Sequence, residues 1–324
     1  METNVLKVIF ITVTAIFIFV FVWCSYIKIM SKICNCKTVL SGKIVIVTGA
    51  NTGIGFETAK DLAKRDAKVI LACRDMNKGL EAEKIIKTET GNTNVHFKQL
   101  DLASFLSVAR FAEDIIRTQP FINILINNAG MGKLDNSLTE DNIPIEVQVN
   151  HYGPFLLTLL LLPLIKRHPD SRIVNVSSIM HYIGKVDPDN FHKKVKTSLQ
   201  HRRLYSDTKL ANMLFTLKLN ELLHGSYVTV NCLHPGAVYT DIFRHQPYIM
   251  KLIFRLLMKS SWQGAQTVIH LAIAPNLANT SGKYFVECKE KEPAKRALDM
   301  DVANRLWLTS EKIVETYLPA DKSY

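Results

Sequence analysis

Short apolar runs alternate with helix-like segments between residues 42 and 318, and this alternation limits the possible folds more than any other feature of the sequence. Each run is strand-like in length and is bounded by turn-forming residues. Strands that alternate with helices form parallel sheets with helices on both faces. We therefore predict an α/β fold, doubly wound, with a mostly parallel sheet of seven strands formed by "KIVIVTG", "KVILACR", "NVHFKQLDL", "INILINNAG", "SRIVNVSS", "YVTVNCLHPG" and "GKYFVEC".

The size and composition of the chain fit a single large domain. Its 324 residues are 48% hydrophobic and 21% charged, so we expect a sizeable core rather than a disordered chain. No internal repeat, low-complexity tract or Pro/Gly-rich linker interrupts residues 42–318. We therefore assign 42–318 to one domain, preceded by a basic linker at 31–41 and followed by a tail at 319–324.

Residues 1–30 are interpreted as a membrane anchor. The run from Val8 to Ile27 carries no charge and would span about 30 Å as a helix, the hydrocarbon thickness of a bilayer. The alternative is a cleaved signal peptide, which would show a shorter apolar core and a small-residue cleavage site. Trp23 and Tyr26 instead stand near the end of the run, where interfacial aromatic residues are common. We therefore predict a single transmembrane helix.

Lysines and cysteines indicate which compartment holds the domain. More lysines follow the apolar run than precede it, so the positive-inside rule places the domain in the cytosol. The six cysteines form no C-x-x-C pairs and no disulfide-dense spacing, which fits a reducing compartment, and we predict no metal site. Cys34 and Cys36 lie beside the anchor; we interpret them as free thiols, with palmitoylation as the alternative.

A glycine-rich turn, "TGANTGIG" at residues 48–55, follows the first predicted strand and begins a helix. Its glycines let the backbone turn tightly and approach a pyrophosphate, which the free N–H groups at the helix start would stabilise. The spacing GxxxGxG differs from the commonest dinucleotide fingerprint, so a merely tight turn is the alternative. We predict a dinucleotide site formed by Gly49, Asn51, Thr52, Gly53, Ile54 and Gly55.

The end of the second predicted strand bears on the choice of cofactor. Arg74 lies where an NAD-binding fold would present an acidic residue to the ribose 2′-hydroxyl. A guanidinium suits a 2′-phosphate better than a diol, so we predict NADP(H) as the cofactor. Asp75 follows immediately and keeps NAD open, and a solvated loop charge is the alternative for Arg74.

Two further strand ends fall on the edge where open parallel sheets bind ligands. "NNAG" at 127–130 contributes small and amide residues, Asn128, Ala129 and Gly130, against which adenine and ribose can lie. "DLAS" at 101–104 contributes Asp101 and Leu102, and Asp101 could accept a hydrogen bond from the adenine amino group. Capping of the next helix by Ser104 is a competing reason for that local sequence.

"YSDTK" at 205–209 places a phenol and an ammonium one helical turn apart. Hydride transfer between an alcohol and nicotinamide also needs a group that moves a proton on or off oxygen. Tyrosine can do this near neutral pH only if a positive charge favours its phenolate, and Lys209 could supply that charge to Tyr205. An exposed surface pair is the alternative. Asn212 and Thr216 continue the polar side of this helix beside an apolar stripe of Leu210, Met213, Leu214 and Leu217.

In this order and spacing, "TGANTGIG", "NNAG", "VNHYG", "IVNVSS", "YSDTK" and "HPG" resemble the short-chain dehydrogenase/reductases, over essentially residues 42–318. The resemblance implies a Rossmann-type fold, with Tyr205 as general acid/base and Lys209 lowering its pKa while bonding the nicotinamide ribose. It assigns Ser178 to the substrate oxygen, with Ser177 as its competitor, and Asn150 to a water in a proton relay. The residues that it places against the nicotinamide carboxamide and phosphates are Pro235, Gly236, Val238 and Thr240.

Further segments, "LACRD", "KLANMLFT", "GKYFVECKEKEPA" and "ANRLWLTSEKIV", together with the anchor, resemble the microsomal retinol dehydrogenase branch. This implies a single-pass enzyme of the endoplasmic reticulum membrane that interconverts retinol and retinal with NADP(H). Steroids or medium- and long-chain aldehydes are alternative substrates for the same chemistry. A catalytically inactive NADP-binding membrane scaffold is an alternative of another class, which the presence of all four catalytic residues disfavours. A homodimer is left open.

Two basic segments remain. The net charge of +11 suits a phosphate-bearing ligand, an anionic membrane or nucleic acid. The segment 184–203 lacks interleaved aromatic residues, so we interpret it as a solvated or headgroup-facing surface and expect no nucleic-acid partner. In "MKLIFRLLMK" at 250–259, Lys251, Arg255 and Lys259 form one charged stripe on an otherwise apolar helix. Such a helix lies in a bilayer interface or, alternatively, is a lid that packs on its own core.

Overall fold

The computed structural model describes residues 2–132, 137–195, 197–240 and 247–320. Five parts of the predicted segments lie outside the described residues. They are Met1 of the predicted anchor, 133–136 after "NNAG", residue 196 in the basic segment, 241–246 before the amphipathic helix, and 321–324 in the predicted tail.

Strands and helices alternate along the described chain, as the sequence predicts. The strands are β1 (Ile44–Thr48), β2 (Lys68–Cys73), β3 (Val95–Gln99), β4 (Ile124–Asn127), β5 (Arg172–Val176), β6 (Thr229–His234), β7 (Tyr284–Val286) and β8 (Lys289–Lys291). The helices are α1 (Glu2–Met30), α2 (Gly53–Lys64), α3 (Met76–Thr90), α4 (Phe105–Thr118), α5 (Ile145–Lys166), α6 (Ser198–Leu222), α7 (Tyr248–Leu257), α8 (Ser261–Ile273) and α9 (Met300–Val314).

The strands form one sheet in the order β3-β2-β1-β4-β5-β6-β7-β8, and every pairing from β3 to β7 is parallel. This confirms the predicted α/β fold and places each of the seven predicted strands. The chain order reverses between β1 and β4, which is the switch point where open α/β sheets bind ligands. The fold therefore predicts a ligand site at the carboxyl ends of β1 and β4.

The predicted number of seven strands was wrong, because an eighth strand pairs antiparallel with β7. Two residues, Glu287 and Cys288, connect the two strands, and both have positive φ angles of 52° and 57°. Consecutive positive φ angles are typical of a type I′ hairpin turn, which sequences usually mark with Asn-Gly or Asp-Gly. This hairpin lacks that signal, so the charged edge strand was not recognised from the sequence.

Alternate residues of the central strands enter two apolar cores, one on each face of the sheet. In β1, Ile44 and Ile46 lie in the core shared with α4, α5, α6 and α9. Val45 and Val47 lie in the opposite core, shared with α2, α3 and α8. This two-sided burial explains why the strands read as continuous apolar runs instead of alternating with polar residues.

Two apolar helices differ in their surroundings. Among the described ranges, one helix is long and apolar enough by length and composition to cross a bilayer; it is α5, and 83% of its most apolar window is buried inside the domain. In α1 the described apolar stretch is the shorter Phe10–Cys24. Phe10, Phe17 and Phe21 on α1 are exposed, whereas α5 serves as a core helix.

The amphipathic helix is shorter than the sequence indicated. α7 ends at Leu257, and none of its ten residues is buried. Lys259, predicted to continue the charged stripe of α7, instead lies beyond the helix, where its N–H donates to Ala237 O at 2.8 Å and its ammonium pairs with Glu287. The pairing of Lys259 with Val238 pulls the chain into an extended conformation and ends the helix.

Candidate active site

The glycine turn joins β1 to α2 at the switch point of the sheet. Gly49 and Gly53 have φ angles of +66° and +62°, which residues with a Cβ rarely adopt. A Cβ at Gly55 would lie 2.4 Å from Gly49 O and 2.5 Å from the Asn128 side-chain nitrogen. The tight turn brings Asn51 and Thr52 just before α2, and Ile54 lies in its first turn. The free N–H groups of that turn therefore face the ligand edge.

A hydrogen-bond network at Thr48 holds the glycine turn against the end of β4. The Thr48 hydroxyl accepts from the backbone N–H groups of Asn128 at 3.0 Å and Ala129 at 2.9 Å. The Asn128 side chain donates to Thr48 O at 2.8 Å. Asn128, predicted to contact the cofactor, therefore uses its amide to join the two loops. No role was predicted for Thr48.

The end of β2 presents an exposed guanidinium beside a carboxylate that is hydrogen-bonded. Arg74 is exposed directly after the strand. The Asp75 side chain caps α3 by accepting a hydrogen bond from Lys78 N at 3.1 Å. The carboxylate that would favour a ribose diol is thus committed to a helix terminus, which supports a 2′-phosphate as the group that Arg74 meets.

The end of β3 is organised by local capping bonds. The Asp101 carboxylate accepts from Ala103 N at 2.9 Å, and Ser104 caps α4 by accepting from Ser107 N at 3.2 Å. Leu102 is buried. Helix capping, the competing reason for this local sequence, is therefore present, and it occupies one oxygen of Asp101.

The loop after β6 completes the ligand edge. It carries Pro235 and Gly236, whose φ is +94°, and Val238, which is buried. The Thr240 hydroxyl is buried without a hydrogen-bond partner among the described residues, and a Cβ added at Gly53 would lie 3.6 Å from the Thr240 methyl carbon. A buried hydroxyl without a partner in the described part of the chain, on a residue next to the glycine turn, fits a phosphate or carboxamide group of a dinucleotide.

Ser178 and Ser177 at the end of β5 point in different directions. The Ser178 side chain lies within hydrogen-bond reach of Tyr205 and accepts from Met180 N at 3.2 Å. The Ser177 hydroxyl is buried and donates to Lys209 O at 2.7 Å, so it fastens α6 to the sheet. Strand alternation thus places Ser178, the residue favoured by the resemblance, at the site.

Lys209 and Asn150 are buried near Tyr205. Lys209 Nζ is 5.4 Å from the centre of the Tyr205 ring and donates to Val176 O at 3.2 Å. Asn150 lies in a π-helical turn inside α5, and its side chain accepts from Met131 N and donates to Met131 O, both at 2.8 Å. A Cβ at Gly130 would lie 3.2 Å from Lys209 Nζ and 3.4 Å from the Asn150 oxygen, so Gly130 makes room for this pair.

Burial is the largest cause of the pKa shifts of Tyr205 and Lys209. Burial raises the pKa of Tyr205 to about 12, while the hydrogen bond with Ser178 lowers it and the Glu146 charge raises it further. Burial lowers the pKa of Lys209 to about 8, against the opposing effects of Cys232 and Glu146. Lys209 is not among the causes of the Tyr205 pKa shift, so the expected lowering by Lys209 is not found here; its ammonium lies over the ring and donates to Val176 O.

Two residues near the pair were missed from the sequence. Thr208 accepts from the Asn150 side chain at 3.0 Å and donates to Tyr205 O at 2.7 Å, so it positions Asn150. Glu146 is a buried carboxylate that acts electrostatically on both Tyr205 and Lys209. Each is distant in sequence from at least one partner, and a buried acid in the first turn of α5 matches no pattern that marks a site.

The predicted site residues therefore meet at one edge of the sheet, where a half-buried tyrosine and serine and a buried lysine and asparagine lie beside a glycine cradle. A phenol close to a second hydroxyl can bind and protonate a carbonyl oxygen. A cradle of N–H groups next to it can hold a pyrophosphate. The chemistry that fits both halves is hydride transfer with a dinucleotide.

Comparisons with known proteins agree with this geometry. The sequence profile of the family described as short chain dehydrogenase matches residues 43–191. Human retinol dehydrogenase 13 is 44% identical over 295 residues, which cover 89% of each chain. Human retinol dehydrogenase 11 is 42% identical over 280 residues, which cover 86% of this chain and 87% of that one.

A solved structure shows the same fold. The short chain dehydrogenase of Escherichia coli CFT073, complexed with NADPH, superposes with a TM-score of 0.62 at 23% identity. The match covers 78% of this chain and 99% of the bacterial chain. The parallel sheet described above is thus shared by a chain that binds the dinucleotide.

Proposed function

This chain belongs to the short-chain dehydrogenase family, and we propose that it is a membrane-anchored, NADP(H)-dependent oxidoreductase. Its proposed substrates are lipophilic alcohols and their aldehydes or ketones, and retinol and retinal are the pair that we favour. The observation that carries the proposal is the hydrogen-bond interaction of Ser178 with Tyr205, with Ser178 following β5 at the sheet edge where the glycine turn follows β1. Besides the hydride, carbonyl reduction needs a hydrogen-bond donor and a proton for the carbonyl oxygen. Two hydroxyls at the ligand edge can supply them.

Each residue has a chemical role in this proposal. When bound, NADPH supplies the hydride. Ser178 donates a hydrogen bond to the carbonyl oxygen, and Tyr205 gives that oxygen its proton. Lys209 and Asn150 stand behind Tyr205, where they can return a proton to it. With its pKa raised to about 12, Tyr205 is a neutral phenol at physiological pH, the form required for reduction.

The preference for NADP(H) over NAD(H) is supported at β2. Arg74 is exposed at the end of the strand, and Asp75 is occupied as the cap of α3. The buried Thr240 hydroxyl and the glycine turn would hold the phosphates. A guanidinium forms charge-assisted, two-pronged bonds with phosphate, which a ribose diol cannot match.

The lipophilic substrate is supported by relatives and by exposed apolar surface. The relatives compared above are retinol dehydrogenases. Steroids and medium- or long-chain aldehydes fit the same two hydroxyls and are the runner-up substrates. A scaffold without catalysis needs neither Ser178 nor Asn150 in place, so the assembled site disfavours that alternative.

The membrane attachment is supported by contacts between α1 and α7. The Trp23 side chain donates to Leu257 O at 3.0 Å, and the Cys24 thiol donates to Leu256 O at 2.9 Å. The apolar side chains that α7 exposes are Tyr248, Ile249, Met250, Leu252, Ile253 and Leu256. α1 also exposes apolar side chains, among them Phe10, Phe17 and Phe21, and adjoining helices with exposed apolar side chains are typical of membrane contact.

The substrate proposal is tested by NADPH oxidation with all-trans-retinal in phospholipid vesicles, against a panel of steroids and alkanals. We expect the highest kcat/KM with retinal and little turnover with NADH. A steroid or alkanal as the best substrate would replace the retinoid proposal, whereas NADPH binding without turnover of any carbonyl would favour the scaffold.

Attachment and orientation need a separate test. We expect the full chain to stay with endoplasmic reticulum membranes after carbonate extraction. Asn279 begins the sequence "NTS" and is exposed, so it can report on orientation. Glycosylation of Asn279 in cells would contradict a cytosolic domain, and complete extraction by carbonate would contradict the anchor.

A further inference from the structure

Three residues from two distant parts of the chain bring metal-binding atoms together. Cys34 and Cys36 lie in the linker after α1, and His270 lies on α8. Cys34 Sγ is 4.0 Å from His270 Nδ1, and the ligand atoms of all three residues lie within 4.8 Å of one another. Cys34 is 8% exposed, and Cys36 and His270 are half-buried, so the cluster is partly sheltered from solvent.

The spacing of these atoms is close to that of a zinc site. Zn²⁺ binds thiolate sulfur at about 2.3 Å and imidazole nitrogen at about 2.0–2.1 Å, which puts tetrahedral ligand atoms about 3.5–3.8 Å apart. The observed cluster is wider by at most about 1 Å. Rotation of three side chains over that distance would close it, without a change in the backbone.

A third cysteine lies beside the cluster. Cys288 is in the turn between β7 and β8, and its sulfur is 3.6 Å from Gln266 O and 4.0 Å from Lys32 O. The Gln266 side chain accepts from Cys34 N at 3.1 Å, so one residue of α8 contacts both cysteines. The Cys288 thiol also interacts electrostatically with Cys34. Three cysteines and one histidine are a common ligand set of structural zinc.

The surrounding charge suits such a ligand set. Three thiolates, a neutral imidazole and Zn²⁺ carry a net charge of −1. Arg172 donates to Leu271 O at 3.0 Å and to Ala274 O at 2.9 Å, at the end of α8 next to His270. Its guanidinium interacts electrostatically with both Cys36 and His270. A fixed cation beside the site would offset the negative charge of the occupied site.

We propose that Cys34, Cys36 and His270 bind a structural Zn²⁺ that fastens the linker to the catalytic domain, with the nearby Cys288 as a candidate fourth ligand. The linker already contacts the domain at this place: Lys32 N donates to Glu287 at 3.0 Å, and the Thr38 hydroxyl donates to Ile273 O at 3.0 Å. A metal bound here would connect the linker, α8 and the β7–β8 hairpin. It would fix how the domain is held relative to α1, independently of the reaction proposed above.

The proposal is tested by metal analysis of the full chain, purified in detergent under reducing conditions without chelator. We expect about one zinc ion per chain in the wild type and strong loss in Cys36→Ser and His270→Ala. Cys24→Ser is the matched control, because Cys24 lies on α1 away from the cluster, and it should keep its zinc. A wild type without zinc, or variants that retain it, would overturn the proposal.

Two measurements on the wild type do not depend on variants that fold. Reconstitution with Co²⁺ should give the thiolate-to-metal charge-transfer bands of tetrahedral cobalt. Lys32 and Lys37 are exposed in the linker, and chelation should speed tryptic cleavage there while NADPH binding is preserved. Absence of the charge-transfer bands, or cleavage that chelation does not change, would contradict the metal clamp.

Discussion

At the scale of single residues, two neighbouring serines have different tasks. Ser178 lies within hydrogen-bond reach of Tyr205, whereas the Ser177 hydroxyl donates to Lys209 O. The sequence named both as candidates for the substrate oxygen, and only the direction of each side chain separates them. The two positions therefore form a matched pair for mutation.

We expect Ser178→Ala to lower kcat by about 10²-fold or more, because the carbonyl oxygen loses a hydrogen-bond donor. Ser177→Ala should keep kcat and lower the free energy of unfolding by about 1 kcal/mol, the usual value of one hydrogen bond. Retinal reduction and thermal unfolding of both variants check this. The reverse pattern would exchange the roles of the two serines.

Arg74 decides the choice between cofactors in this account. It is exposed at the end of β2, so its replacement should leave the fold intact. We expect Arg74→Ala to raise the KM for NADPH about 10- to 100-fold, because a charged hydrogen bond to phosphate contributes about 1.5–3 kcal/mol. The KM for NADH should stay the same. An equal rise for both cofactors would mean that Arg74 does not bind the 2′-phosphate.

The raised pKa of Tyr205 predicts a pH dependence of known sign. Carbonyl reduction requires the phenol, which predominates at every pH well below its pKa of about 12. Alcohol oxidation requires the phenolate, whose fraction rises with pH until that pKa is passed. In single-turnover experiments, reduction should stay nearly constant from about pH 6 to 8, while oxidation rises with pH. Oxidation that levels off near neutral pH would show a much lower pKa in the working enzyme.

At the scale of elements, the glycine turn and the strands around it were readable from the sequence, and the late hairpin was not. Apolar runs buried on both faces identify β1 to β7, and the turn between β1 and α2 needs glycine for its positive φ angles. The β7–β8 turn uses Glu287 and Cys288 at positive φ, which no common turn sequence announces. Lys259 was assigned to a helix because spacing alone cannot show that Val238 pairs with it.

The glycine turn gives a prediction at this scale. A Cβ at Gly55 would meet Gly49 O and the Asn128 side chain, so Gly55→Ala should separate α2 from the β4 loop. We expect a destabilisation of about 1–3 kcal/mol and loss of the thermal shift caused by NADPH. Gly91→Ala is the control, because Gly91 ends α3 with nothing within 4 Å and only its φ of +72° is strained. An unchanged NADPH shift in Gly55→Ala would argue against the cradle.

At the scale of the whole molecule, the apolar surface and the ligand edge are joined by one short connection. Lys259, just after α7, pairs with Val238, and Tyr239 N donates to Lys259 O at 3.0 Å. The loop that would contact the cofactor is therefore bonded to the end of the helix that exposes its apolar face. The sequence predicted the cofactor loop after β6 and the amphipathic helix separately. It did not predict the strand-like pairing of Val238 with Lys259 that connects them.

The central claim is that Tyr205 transfers the proton in NADPH-dependent carbonyl reduction. The direct test is Tyr205→Phe, which removes one hydroxyl from a residue that packs against Lys209 through its ring. Single-turnover reduction of retinal and equilibrium binding of NADPH should be measured on the same preparation. We predict that reduction falls by about 10²- to 10⁴-fold while the Kd for NADPH stays the same. Reduction at the wild-type rate in Tyr205→Phe would contradict the account.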